Sequence, residues 1–212
     1  MPAIQDIFIP NRSIKLEVEY FKPENDTSRD SILIIHPHPQ FGGDMYNNVI
    51  SSIFKTFVNE NIAALRFNFR GVGNSTGNHT DGEGERSDVE VCIDFLIEDL
   101  NMESVFLCGY SYGAAIGCSS VNYSEKVIGY AAVSFPFDFM DESYKKDSQT
   151  IKPKLFIQGN RDNIARFENF NKHFNFFNEP KQYKIIDGAD HFYWGFEDEI
   201  TRMILAFYLS LQ

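Results

Sequence analysis

Residues 109–113 read GYSYG, a serine held between two glycines in the pattern G-x-S-x-G. A serine hydroxyl is a weak nucleophile. It attacks a carbonyl carbon only when a base takes its proton, and the base works only when a third group fixes its orientation. The flanks of Ser111 suit that use. The apolar run SVFLCGY leads in and the small-residue run AAIGCSS leads out. A sharp strand-to-helix turn of this kind is a nucleophile elbow, which leaves the serine Oγ exposed. Bulk at Gly109 or Gly113 would clash with the turn. A serine in an ordinary Gly-rich turn is the plain alternative, and the pentapeptide alone does not exclude it. The partners carry more weight. After such an elbow an acid comes next and a histidine last. NRD places Asp162 just after the apolar run KLFIQG, and GADHF places His191 just after KQYKIID. Asp190 adjoins His191 but is badly placed to reach its ring, and Asp187 is the lesser rival, so Asp162 is the expected acid.

These residues meet only if one sheet brings their loops together. The sequence predicts β segments over 3–9 and 13–20 joined at Pro10-Asn11-Arg12, a polar loop over 21–30, and a buried strand over 31–36. Asp44 is the expected cap of a helix through 45–60. Strands follow over 62–69, 104–110, 126–135, 154–159 and 181–187. Helices are expected over 86–100, 112–121, 164–175 and 196–211. Strands alternating with helices imply an α/β fold, a mostly parallel sheet with helices on both faces, and the opening segments suit an antiparallel edge. In such a sheet the loops at the strand carboxyl ends converge on one crevice. The chain has no internal repeat or linker, so residues 1–212 are expected to form a single domain. The polar segment DFMDESYKKDSQTIK, between two predicted strands, is too short for a large cap. A minimal cap implies an open pocket for small or accessible acyl groups.

HPHPQFGG, residues 36–43, follows the strand over 31–36. Two histidines two apart on an extended chain face one side, as in a metal site, but zinc needs three or four ligands. No cysteine or carboxylate nearby completes a spaced set, so no metal is expected, and His36 is expected to make a structural hydrogen bond beneath the site. With this stretch, RFNFRGVGNSTG (66–77) and GYSYG, the chain resembles the small bacterial-type α/β-hydrolases that carry H-P-H-P-x-F-G-G, R-F-N-F-R-G-V-G-x-S-x-G and G-Y-S-x-G. The resemblance runs along nearly the whole chain. It implies the α/β-hydrolase fold and a Ser111–His191–Asp162 catalytic triad, and it leaves the substrate open. In this fold the oxyanion hole is made by two backbone N–H groups, one just after the nucleophile and one from the loop after an earlier strand. The first would be Tyr112. Pro37 and Pro39 have no N–H, so His38 is the expected second donor, with Gln40 next. Phe41, Tyr110, Phe135, Phe137 and Gln40 are candidates to line the pocket, although core packing suits each aromatic equally. The implied reaction is hydrolysis of an acyl ester without a cofactor. A thioesterase or peptidase with the same residues is the near alternative, and a non-catalytic binding protein on this fold is the distant one.

Composition narrows the partners. A net charge of −11 over 212 residues lacks the basic footprint of a nucleic-acid binder and disfavours anionic lipid. Three cysteines, Cys92, Cys108 and Cys118, form no disulfide framework, which suggests a reducing, cytoplasmic setting. The first residues lack the pattern of a signal peptide, and no apolar run is long enough to span a bilayer. GVGNSTG is not G-x-G-x-x-G, so dinucleotide binding is poorly supported. His79 and His173 are expected on the surface, and Arg70 in an ion pair near the site. The oligomeric state, monomer or homodimer, stays open.

Overall fold

The computed structural model describes residues 3–24 and 29–212, so residues 25–28 of the polar loop lie outside the described residues. The strands are β1 (Ile4–Asn11), β2 (Ile14–Phe21), β3 (Asp30–Ile35), β4 (Ala63–Phe67), β5 (Ser104–Tyr110), β6 (Val127–Val133), β7 (Lys154–Gly159) and β8 (Lys181–Ile186). The helices are α1 (Asn48–Asn59), α2 (Glu83–Asp94), α3 (Tyr112–Cys118), α4 (Glu142–Asp147), α5 (Phe167–Phe174) and α6 (Glu197–Leu209). All eight strands join one sheet in the order β1-β2-β4-β3-β5-β6-β7-β8. β1 and β2 are antiparallel, β2 meets β4 antiparallel, and every other pairing is parallel. The expected antiparallel edge is there. Pro10 lies inside β1, which is tolerable because β1 is an edge strand.

The central strands are mostly apolar because both faces are covered. In β3, Ile32 and Ile34 pack with Val49, Ile53 and Phe57 of α1 and with Ile200 and Ile204 of α6. Leu33 and Ile35 point the other way and join Val89 and Ile93 of α2 and Ala115 of α3. A period of two thus divides one apolar run between two cores. From β3 the chain builds β4 on one side, then returns past β3 to build β5 on the other. The strand order reverses there, and the loops after β3 and β5 flank the crevice where open α/β sheets bind ligands.

Element ends differ from expectation where side chains cap the backbone. Asp44 does not start α1. Its Oδ1 accepts from the Tyr46 N–H at 2.8 Å, closing a turn, and Asn47 caps the helix by accepting from the Val49 N–H at 3.0 Å. α2 begins at Glu83, earlier than expected, because the buried Glu85 side chain accepts from the Gly82 N–H at 2.8 Å. Its far end widens into a π-type turn over Phe95–Asp99. α5 starts only at Phe167, because Asp162 binds the N–H groups of Ile164 and Ala165 at 2.9 and 2.8 Å. Between β6 and β7 the one helix is the six-residue α4, so the cap is minimal. Among the described residues no helix is long and apolar enough to cross a membrane.

Candidate active site

Ser111 sits at the turn from β5 into α3 with φ 55° and ψ −122°. A side chain rarely adopts this backbone region, and it persists only where the surroundings enforce it. The enforcement is visible. A Cβ on Gly109 would lie 2.2 Å from the Gly113 carbonyl oxygen, and one on Gly113 would lie 2.4 Å from the carbonyl oxygens of both Ile35 and His36. The Ser111 N–H donates to the Val133 carbonyl at 2.8 Å, which extends the β5–β6 pairing into the turn.

His191 lies in the loop after β8. Its Nε2 is 2.9 Å from Ser111 Oγ, and its Nδ1 is 2.9 Å from Asp162 Oδ2. The Tyr110 hydroxyl donates to the His191 carbonyl and anchors the loop from below. The two rival acids are engaged elsewhere. Asp190 Oδ1 accepts from the Phe192 N–H at 2.9 Å, and Asp187 Oδ1 accepts from Asn160 Nδ2 at 2.6 Å.

Asp162 is 3% exposed and held on both oxygens. Oδ1 takes the two N–H groups of its own turn. Oδ2, besides His191, accepts from Ser134 Oγ at 2.6 Å and from Gln158 Nε2 at 3.2 Å. Ser134 Oγ lies 2.6 Å from the Tyr193 hydroxyl, which accepts from the Gly159 N–H at 2.9 Å. With Gly159 donating, the protons order themselves from Gly159 to Tyr193 to Ser134 to Asp162 Oδ2. Burial first, then the nearby Asp162 charge, push the Tyr193 hydroxyl well above its usual range, so it stays a donor. Ser134 (φ 47°) and Tyr193 (φ 57°) both occupy the left-handed region. Sequence reasoning missed Ser134, Gln158 and Tyr193. The available signal was position, since Ser134 and Gln158 lie at the carboxyl ends of β6 and β7 and Tyr193 lies in the loop after β8.

HPHPQFGG bends the chain over the same crevice. His36 is fully buried. Its Nδ1–H donates to the Pro37 carbonyl at 2.7 Å, and its Nε2 accepts from the Phe69 N–H at 3.0 Å, tying the end of β3 to the chain after β4. Burial drops its pKa to about 4, so it is neutral. The Gln40 N–H is taken by His38 Nδ1 at 3.2 Å. The N–H groups of His38 and Tyr112 have no protein acceptor among the described residues. Among the described residues no group of three or more His, Cys, Asp or Glu is placed to hold a metal ion.

The pocket candidates divide. Phe135 and Tyr110 are buried at 2% exposure, Phe135 stacking on the half-buried Phe137 at 4.3 Å, whereas Gln40 is exposed and Phe41 is 86% exposed. Two histidines read as surface residues are not. His173 is 9% exposed, stacked on Phe137 at 4.6 Å with Nε2 3.1 Å from Asp138 Oδ1. The His79 side chain is 11% exposed, with Nδ1 2.9 Å from Glu85 Oε1 and its ring 5.2 Å from the His38 ring. Arg70 pairs with buried Asp88 through Nε and Nη2 at 3.0 and 2.7 Å, the ion pair expected of it.

Comparison with known proteins agrees with the fold. An uncharacterized protein of Rickettsia prowazekii is 30% identical over 190 residues, which cover 85% of this chain and 79% of the relative. The structure of an alpha-beta serine hydrolase homologue from Coxiella burnetii superposes with a TM-score of 0.86 at 30% identity, covering 95% of this chain and 96% of the other. That of an α/β serine hydrolase without lid from Xanthomonas campestris gives a TM-score of 0.85 at 21% identity over 96% of this chain and 93% of the other, a likeness of fold alone. The alpha/beta hydrolase domain pattern matches residues 30–198, from the start of β3 into α6, and so takes in both the serine turn and the histidine loop. The chain belongs to the α/β hydrolase domain family.

Proposed function

We propose that the protein is a serine hydrolase that cleaves acyl esters through a covalent acyl-enzyme on Ser111. The observation that carries this reading is the unbroken contact from Ser111 Oγ through the His191 ring to Asp162, at 2.9 Å on each side, on a backbone turn forced into an unfavourable conformation. His191 Nε2 takes the serine proton as Oγ bonds to the ester carbonyl carbon. The negative charge that develops on the carbonyl oxygen is met by the N–H groups of Tyr112 and His38, which have no protein acceptor among the described residues. Protonated His191 then gives its proton to the leaving alkoxide as the C–O bond breaks. Water, deprotonated by His191, attacks the acyl-enzyme, the Oγ–acyl bond breaks, and the acid is released. Asp162 Oδ2 accepts from Nδ1–H throughout, holding the tautomer in which Nε2 is free to act as base. The steps use protein groups and water only. The minimal cap suits small or accessible esters, and three buried free thiols favour a cytoplasmic setting.

Initial rates on matched esters, thioesters and anilides of one acyl group test the assignment. The expected order has esters fastest, with turnover of all three falling by orders of magnitude in Ser111→Ala. Ester turnover that survives in Ser111→Ala would overturn it.

A further inference from the structure

The loops after β3 and β8, at the sheet end that carries Ser111, hold aromatic side chains that the fold leaves in water. Phe41, on the loop after β3, is 86% exposed. Trp194 and Phe192, on the His191 loop after β8, are 72% and 54% exposed. Phe41 and Trp194 are the two most exposed aromatic residues among the described residues, and Trp194 is the only tryptophan in the chain. All three stand at the sheet end that carries Ser111. The Phe41 ring lies 5.0 Å from the His38 ring, which lies 4.5 Å from that of Tyr112. The Phe192 ring lies 6.0 Å from that of His191. Asn48, at the start of α1, donates to the Phe192 carbonyl at 3.1 Å and to Glu197 Oε1 at 2.7 Å. This clamps the chain after β3 to the His191 loop, so the two halves of the rim hold together. Single exposed aromatics are ordinary, but several on the two loops that flank one site point to a surface that a ligand covers.

Charge narrows the ligand. Residues 36–48 and 187–197 contain Asp44, Asp187, Asp190 and Glu197 and no lysine or arginine. A phosphate or carboxylate approaching across these two loops would meet like charge, while the cations Arg161 and Arg166 lie on the separate loop after β7. A neutral chain meets apolar ring faces at no electrostatic cost.

We propose that Phe41, Phe192 and Trp194 form a binding surface for the alkyl chain of an uncharged long-chain ester, extending the Ser111 site outward. This deepens the hydrolase reading and rests on it for chemistry, but binding is measurable without turnover. Two experiments separate the two. In the first, p-nitrophenyl acetate and p-nitrophenyl octanoate are compared on wild type, Phe41→Ala, Phe192→Ala and Trp194→Ala. The side chains are exposed, so the variants should fold normally. Wild type should prefer octanoate, and each variant should lose on the order of fivefold in kcat/KM for octanoate relative to acetate, with the acetate rate itself unchanged in Trp194→Ala. In the second, Ser111→Ala protein is titrated with methyl octyl ketone, a neutral ester mimic, and with the octanoate anion, reading Trp194 fluorescence. The ketone should give a saturable blue shift and the anion none. A saturable ketone shift with no ester turnover in wild type would uphold the rim and overturn only the hydrolase reading. A flat chain-length profile in all four proteins, no ketone shift, or a rim buried instead by concentration-dependent self-association would overturn the proposal.

Discussion

In the proposed mechanism the chemistry around Asp162 depends on hydroxyl groups that never reach the substrate. The carboxylate orients His191, and the Tyr193–Ser134 chain orients the carboxylate. Removing the Tyr193 hydroxyl leaves the Gly159 N–H without its acceptor and Ser134 without its donor. We therefore expect Tyr193→Phe and Ser134→Ala each to lower kcat by about tenfold, the scale of one buried hydrogen bond, with KM unchanged. Steady-state kinetics on a soluble ester check this, and a rise in KM at constant kcat would show that these groups act on the substrate instead. That Ser111, Asp162 and His191 come into contact was legible in the sequence, because a short turn pattern and two strand-end loops suffice to pick them out. Ser134 and Tyr193 were not. A serine after an apolar strand and a tyrosine two residues past a histidine acquire a shared partner only once β6, β7 and β8 lie side by side.

The turns that join the elements carry the strain of the site. At the elbow, Gly113 packs against the carbonyl oxygens that end β3, so Gly113→Ala must push α3 away from β3 or distort the turn. Overpacking of this sort costs about 1–3 kcal/mol, and here the atoms met are backbone, which yields little. A lowered Tm together with loss of ester turnover is the expected outcome; an unchanged Tm would contradict the close packing. His36 joins β3 to the chain after β4 and carries a pH signature. Its folded pKa of about 4 lies below an unfolded value near ~6.5, so the unfolded chain binds more protons between the two. The stability it contributes is complete above about pH 6.5 and is lost progressively down to about pH 4, on the order of 3 kcal/mol in all. Urea unfolding at pH 7 and pH 4.5 should show a drop that shrinks in His36→Gln, and an equal drop in both proteins would refute the assignment. Strands were read closely from apolar runs, whereas helix starts moved by several residues. The competition between Asp44 and Asn47, or between Glu85 and the residues around it, is settled by which backbone N–H each can reach, and spacing alone does not reveal that.

Across the whole molecule, one sheet carries Ser111, Asp162 and His191 on the loops after β5, β7 and β8, and the return past β3 opens the crevice they share. Alternation of strands and helices was enough to predict a mostly parallel sheet with an antiparallel edge. The sorting of the aromatic residues was not legible, because a phenylalanine near a strand end serves equally as core or rim. Phe135 proved to be core, and Phe41 stands in water. The account as a whole rests on one nucleophile. The most direct test is labelling with a fluorophosphonate, which bonds covalently only to a serine that a base has activated, followed by mass mapping of the modified peptide. The account predicts stoichiometric modification at Ser111, absent in Ser111→Ala and strongly slowed in His191→Ala. An unmodified wild-type protein, or a label on any other serine, would contradict it.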